Sequence, residues 1–422
     1  MMQVLERGKR MTYETLKRSH VKRNIVIALI VVGVISAIVL NFTRAKYRTT
    51  QSMPLLNGTI NYTLADLNIV AMYVDGSEVD TFPDGNYELT EESYCSNEDN
   101  ERDEAITLNY DSATKGLSVS PMTKKGTKCY LYFEEGASGG DYILAGDNAP
   151  TSHTTDWTGK ESYYYTENPD NWVSFAGFYW RIIRINGDGS IRMIYQGTSA
   201  NTTGSGTQAG TSAFNSSPNN NMYVGYMYGS SSSDYNTTHA NINPSTIKGI
   251  LDTWYHNNLE INYGQYIDGN AGFCGDRRVS SGTGTGTTYT NYQPYTRISN
   301  SSPSLSCETP DIYTTKGSST GNGALTYPIG LISADEAMLA GIPNGNSGNQ
   351  NNYLYTGQIY WTMSPYYFHF TYGGAGVFNV SSSGYLSSDW VDNARGVRPV
   401  INLKSAIAIT GDGSVDKPFK VQ

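Results

Sequence analysis

Eleven side chains suited to contact crowd into the last strands of the chain: Tyr366, Tyr367, Phe368, His369, Tyr372, Asn379, Tyr385, Asp389, Trp390, Asp392 and Asn393. Their chemistry is recognition rather than bond-making. Tyr and Trp present large, rigid contact area at low entropic cost, and Ser, Gly and Asn around them supply adaptable hydrogen bonds, a composition shared with antibody paratopes. Aromatic faces beside amides also suit sugars. Together the residues predict a surface for a glycan or a protein, although any single ring serves equally well to pin its own loop to a sheet.

Groups that would carry catalysis are scattered. The five histidines, His20, His153, His239, His256 and His369, include no pair at the H-x-x-x-H spacing of a metal site. There is no phosphate-binding loop, and Gly282–Thr288 (GTGTGTT) lacks both the preceding strand and the dinucleotide spacing. Ser112–Lys115 and Ser245–Lys248 match Ser-x-x-Lys without the companion motifs that pattern requires. The expectation is therefore a protein that is not an enzyme and has no cofactor. Calcium finds oxygen ligands of the right type in an acidic loop such as Thr410–Asp416 (TGDGSVD), which reads more simply as a turn. The four cysteines are disulfide candidates, Cys95 with Cys129 and Cys274 with Cys307, with buried free thiols the alternative for the first pair.

Charge is segregated along the chain. Residues 1–48 hold ten Lys/Arg against two Glu, or +8, while the other 374 residues hold 19 basic and 36 acidic side chains, or −17. A body that acidic repels phosphate backbones and excludes nucleic acid as a partner. Between the basic residues, Ile25 to Leu40 carries no charge, and the segment is near the short end of what spans a bilayer. The expectation is a basic cytoplasmic tail (1–23), a single-pass transmembrane signal anchor (24–42) and an extracytoplasmic body. A cleaved signal peptide is the alternative, with Thr43-Arg44-Ala45 as a loose cleavage site.

Residues 50–135 contain short β-rich runs punctuated by turns such as VDGSE and PDGN, and predict a small all-β sandwich acting as a stalk. Residues 136–162 are rich in Gly, Ser, Asp and Thr and predict a linker. The remainder, 163–422, opens on a hairpin, strand Phe178–Ile185, turn Asn186–Gly189 and strand Ser190–Tyr195. Ser245 is placed to cap a helix whose apolar face is Ile247, Ile250, Leu251, Trp254 and Leu259. Ser333 and Glu336 form a capping box before a second helix, which Gly341 stops. The polar stretches 198–245 and 279–326 predict insert loops that display surface.

The chain finishes on three strands, Ile359–Pro365, Ala375–Trp390 turning at Ser381–Gly384, and Arg395–Leu403, the last alternating Val397, Pro399, Ile401 and Leu403 with Arg398, Val400 and Asn402 as a half-buried strand does. A Trp361-x-x-Ser364-Pro365 strand, a strand with Val377 and Val380 before a Gly turn, and a terminal Gly396-Val397-Arg398-Pro399 resemble the C-terminal signature of bacterial surface domains with a C-type-lectin-like fold. Relatives of that group include formylglycine-generating enzymes and the variable proteins of diversity-generating retroelements. The resemblance covers roughly residues 163–410 and implies an α+β chain whose last domain is mixed α/β, two helices flanking a twisted sheet, with ligand loops between the final strands. It does not extend to the enzymes' close C-terminal cysteine pair, since no cysteine follows Cys307. The resulting expectation is a membrane-anchored, adhesin-like bacterial surface protein that binds an extracellular glycan or protein. A structural cell-envelope component and an extracytoplasmic enzyme are the other readings.

Overall fold

The computed structural model describes residues 67–83, 87–96, 101–111, 116–121, 127–136, 138–345 and 347–421. Strands make up 35% of it and helices 17%, which corrects the expected α+β class to a strand-dominated fold. The cause lies in composition: Ser and Asn hydrogen-bond their own backbone, and Gly costs a helix about 1 kcal/mol, so helices stay short. The membrane placement is corrected as well. Among the described residues no helix is long and apolar enough to cross a membrane, so neither the transmembrane anchor nor the cell-membrane localisation finds support. The segments expected to form tail and anchor, 1–23 and 24–42, lie outside the described residues.

Residues 67–135 build one small β unit from β1 (Leu67–Val74), β2 (Ser77–Val79), β3 (Tyr87–Leu89), β4 (Tyr94–Ser96), β5 (Thr107–Asp111), β6 (Gly116–Ser120) and β7 (Thr127–Glu135). Strand β7 is central, parallel to β1 and antiparallel to β3 and β4, while β5 and β6 form a separate hairpin. Its alternation explains the core. Cys129, Leu131 and Phe133 point inward and are buried, whereas Tyr130 and Tyr132 point outward and stack on Tyr94 and Tyr73 at 5.0 and 4.9 Å. Cys95 lies directly opposite Cys129 in the ladder, and the two form a disulfide. Closing a loop of that length contributes about 3–4 kcal/mol in the chain-entropy model.

The second core begins earlier than the linker reading implies. Helix α1 (Gly139–Leu144), with Ser138 and Asp141 as its capping box, places Ile143 in the core. Here glycine serves close approach rather than flexibility, since a Cβ on Gly140 would lie 2.4 Å from the Gly189 carbonyl oxygen. The elements that follow are β8 (Ser152–Thr155), β9 (Glu161–Tyr164), β10 (Trp172–Phe175), β11 (Phe178–Ile185), β12 (Ile191–Gly197), α2 (Thr246–Asn258), β13 (Val279–Ser281), β14 (Thr290–Tyr292), α3 (Ala334–Leu339), β15 (Tyr360–His369), β16 (Gly374–Val380), β17 (Leu386–Trp390), β18 (Val400–Leu403) and β19 (Phe419–Val421).

Two sheets result. In the first, β12 and β11 form the expected hairpin, flanked by β18 on one side and by β10 and then β19 on the other. The terminal strand β18 is buried on both faces, not one: Val400 and Asn402 are as inaccessible as Ile401 and Leu403, and the Asn402 amide donates to the Ala271 carbonyl at 3.0 Å. The second sheet runs β13, β14, β15, β16, β17. The helix signals hold locally, with Ser245 capping α2 and the Ser333–Glu336 box capping α3. However, α2 turns Ile247, Lys248, Leu251 and Tyr255 inward and leaves Ile250 exposed.

The Cys274–Cys307 disulfide forms beside these sheets. The long polar stretches are not merely display loops. Asn221 is fully buried, donating to the carbonyls of Thr285, Gly286 and Thr288 and accepting from the Tyr292 hydroxyl at 2.8 Å. Buried amides thus satisfy loop backbone that apolar residues would leave unpaired.

Candidate functional site

Three neighbouring strands present one aromatic face. Tyr367 of β15, Gly376 of β16 and Trp390 of β17 lie in a row across the sheet. Because the middle residue has no side chain, the Tyr367 and Trp390 rings meet over it with centroids 5.6 Å apart, edge to face. The β15–β16 ladder steps from Pro365–Val377 to Tyr367–Gly376, two residues against one. This bulge, next to a proline that has no N–H to give, turns Tyr366 to the same side as Tyr367. Their rings lie 4.6 Å apart, and Tyr366 also rests edge-on against Tyr295 at 5.0 Å.

From Tyr367 the chain of rings continues outward. His369 lies 6.4 Å from Tyr367, 4.9 Å from Tyr289 and 4.2 Å from Tyr372. At this end the face opens to solvent, with Phe370 67%, Tyr372 68% and Tyr289 50% exposed. The turn that carries Phe370 and Tyr372 ends on Gly373, at a φ of +121°. A Cβ there would lie 2.7 Å from the Trp390 ring, so glycine is required both by the backbone and by the ring it supports.

Burial pushes the Tyr367 hydroxyl up to about 12, with the neighbouring tyrosines adding to it, and raises Tyr366 in the same way. Both phenols are therefore neutral and able to donate or accept at physiological pH. Among the described residues, Nδ1 of His369 has no hydrogen-bond partner. The face thus combines ring surface with neutral hydroxyls, with no paired acids among them.

The structure brings together Tyr366, Tyr367, His369, Tyr372 and Trp390 from the expected set. It separates the others. Phe368 and Asn379 are buried within the sheet. Asp389 points away from the face and holds Arg395 at 2.5 Å and the Asn393 amide at 2.5 Å, so these groups fasten the following turn. Tyr385 precedes β17, about 17 Å of extended chain before Trp390. Asp392 is exposed in the turn after Trp390. Two rings of the face were not anticipated, Tyr289 and Tyr295, and the exposed Phe370 lies beside the face in the chain. Phe370 sits among residues that were, and the spacing of TYTNYQPY around Tyr289 and Tyr295 is the only signal the chain offers for the other two.

Among the described residues no group of three or more His, Cys, Asp or Glu could hold a metal ion. In the loop Thr410–Asp416, Asp412 accepts from the amide and hydroxyl of Ser414 at 3.0 and 2.7 Å, the geometry of a local turn. Compared with protein-family models, with curated proteins and with solved structures, the chain matches none.

Proposed function

We propose that this chain is a binding protein, and that its ligand is a neutral glycan seated on the aromatic face. The observation that carries the reading is the unbroken run of rings from Tyr295 through Tyr366, Tyr367 and His369 to the exposed Tyr372. Ring faces offer apolar contact to the C–H sides of sugars, and the phenols beside them meet hydroxyl groups. Stacking surface, rather than a nucleophile with its base or two opposed carboxylates, fills the face, which favours binding over catalysis. The net −17 of residues 49–422 disfavours sulfated or sialylated glycans.

A glycan array tests this with the full chain beside Tyr372→Ser. Tyr372 is exposed, so its removal disturbs little of the core. Retention on a set of neutral glycans is expected, weakened about tenfold by the substitution, the equivalent of ~1.4 kcal/mol. No retention by the folded chain, or retention indifferent to Tyr372→Ser combined with Phe370→Ser, overturns the reading.

A further inference from the structure

Tyr367, Gly376 and Trp390 are part of a longer row across the second sheet. Asn291 of β14 stands opposite Tyr367, and Ser281 of β13 stands opposite Asn291. Five strands thus contribute one residue each, in the order Ser281, Asn291, Tyr367, Gly376 and Trp390. Residues opposite one another in a ladder share a face, and with strands about 4.8 Å apart the row is about 19 Å long. Tyr289 and His369 stand two residues along the strands from it, on the same face, with their rings 4.9 Å apart.

Both ends of the row are open. Among the described residues, β13 and β17 each have a ladder partner on one side only. Ser281 is exposed and Trp390 half-buried. A ligand lying along the row therefore leaves over both edges, and its termini are not enclosed. A pyranose ring, with bonds of about 1.5 Å, covers only a fraction of this length.

The polar side chains that could grip one sugar from several directions are engaged within the protein. The Asn291 amide accepts from the Tyr289 hydroxyl at 3.1 Å and donates to the Ser281 hydroxyl at 3.1 Å. Asp389 holds Arg395 and Asn393. Ring surface and phenol hydroxyls are left, and they offer each sugar a weak and similar contact. Affinity has then to be summed over consecutive units of one chain, as it is wherever contacts are covalently linked.

We propose that the ligand of the aromatic face is a linear neutral glycan, bound side-on by several internal units that lie across the strands from Ser281 to Trp390. This deepens the glycan reading and rests on it.

The test is calorimetric titration of the full chain with unbranched oligosaccharides of one to six units. The probes are the β-1,4-glucose, β-1,4-N-acetylglucosamine, β-1,4-mannose and α-1,4-glucose series. Each hexasaccharide is also used with its reducing end converted to the alditol and its other end O-methylated. In at least one series the Kd is expected to fall about tenfold or more from disaccharide to tetrasaccharide and to level off by the hexasaccharide. Modifying both ends is expected to change the hexasaccharide Kd by less than about twofold, and Trp390→Ser to remove most of the gain with length.

A monosaccharide that binds as well as the hexasaccharide, or binding lost on modifying the ends, overturns the proposal and leaves the glycan reading standing. A gain with length that survives in folded Trp390→Ser does the same. The length series and the modified ends decide the matter even where that variant fails to fold. Binding by no member of any series also overturns the proposal, and the glycan reading falls with it only where the array shows no retention either.

Discussion

Glu336→Gln is expected to destabilise the second core by about 3–5 kcal/mol, the usual cost of breaking a buried ion pair from one side. Glu336 stands in the first turn of α3, where its carboxylate accepts from the Ser333 amide at 2.9 Å and completes the capping box. The same group accepts from Arg184 Nε at 3.1 Å and Arg192 Nη2 at 3.2 Å, and all three side chains are buried. Burial alone would push this carboxyl up, but the charges of Arg192 and Arg184 outweigh it and hold it below the usual carboxylate range. Glutamine keeps the shape and leaves two guanidinium groups, in strands β11 and β12, without their shared counter-charge. All six tryptophans, Trp157, Trp172, Trp180, Trp254, Trp361 and Trp390, fall within residues 138–421, the part of the chain built around the second core. Urea unfolding followed by tryptophan emission therefore reads that core alone. An unchanged midpoint would mean that the guanidinium groups are satisfied without Glu336.

His239 makes the stability of the same core depend on pH. Burial, and then the charge of Arg277, depress its folded value from 6.5 to about 3, so on acidification the unfolded chain takes up a proton that the folded chain refuses. The contribution is complete above about pH 6.5 and is lost as the pH falls toward 3, at up to about 1.4 kcal/mol per pH unit. Asp156 and Glu336, also held low, act in the same direction but only below the ordinary carboxylate range, whereas the raised Asp252 and Asp268 act oppositely. These terms are common to the wild type and to His239→Gln and cancel in their difference. Unfolding free energies between pH 6.5 and 5 are expected to fall more steeply in the wild type. Equal slopes would contradict a buried neutral imidazole.

Much of the aromatic face was legible because it is local. Tyr366, Tyr367, His369 and Tyr372 are near neighbours in the chain, and one bulge and one turn suffice to bring their rings together. Phe368 and Asn379 were misplaced for an equally local reason, since strand alternation hides every second residue. Tyr289 and Tyr295 join through pairing of Asn291 with Tyr367, a contact across 76 positions that periodicity cannot reveal. Asp389 and Asn393 have the right chemistry, but Arg395 and the local turn claim it. The packing of the polar stretches was hidden because composition assigns Asn, Ser and Thr to the surface, whereas Asn221 and His239 are buried and serve loop carbonyls. The motifs behind the lectin-like resemblance, Trp361, Ser364, Pro365, Val377, Val380 and Gly396–Pro399, are all buried and form framework. Helix caps and cysteine pairs were readable because each depends on a short spacing or on a chemistry with few partners.

The most direct measurement is hydroxyl-radical footprinting of the full chain, with and without a neutral glycan retained on the array. Protection is predicted at Tyr289, Phe370, Tyr372 and Trp390, with Tyr142, exposed in α1, unchanged. Protection confined to other residues, or none at saturating glycan, would contradict a ligand seated on the aromatic face.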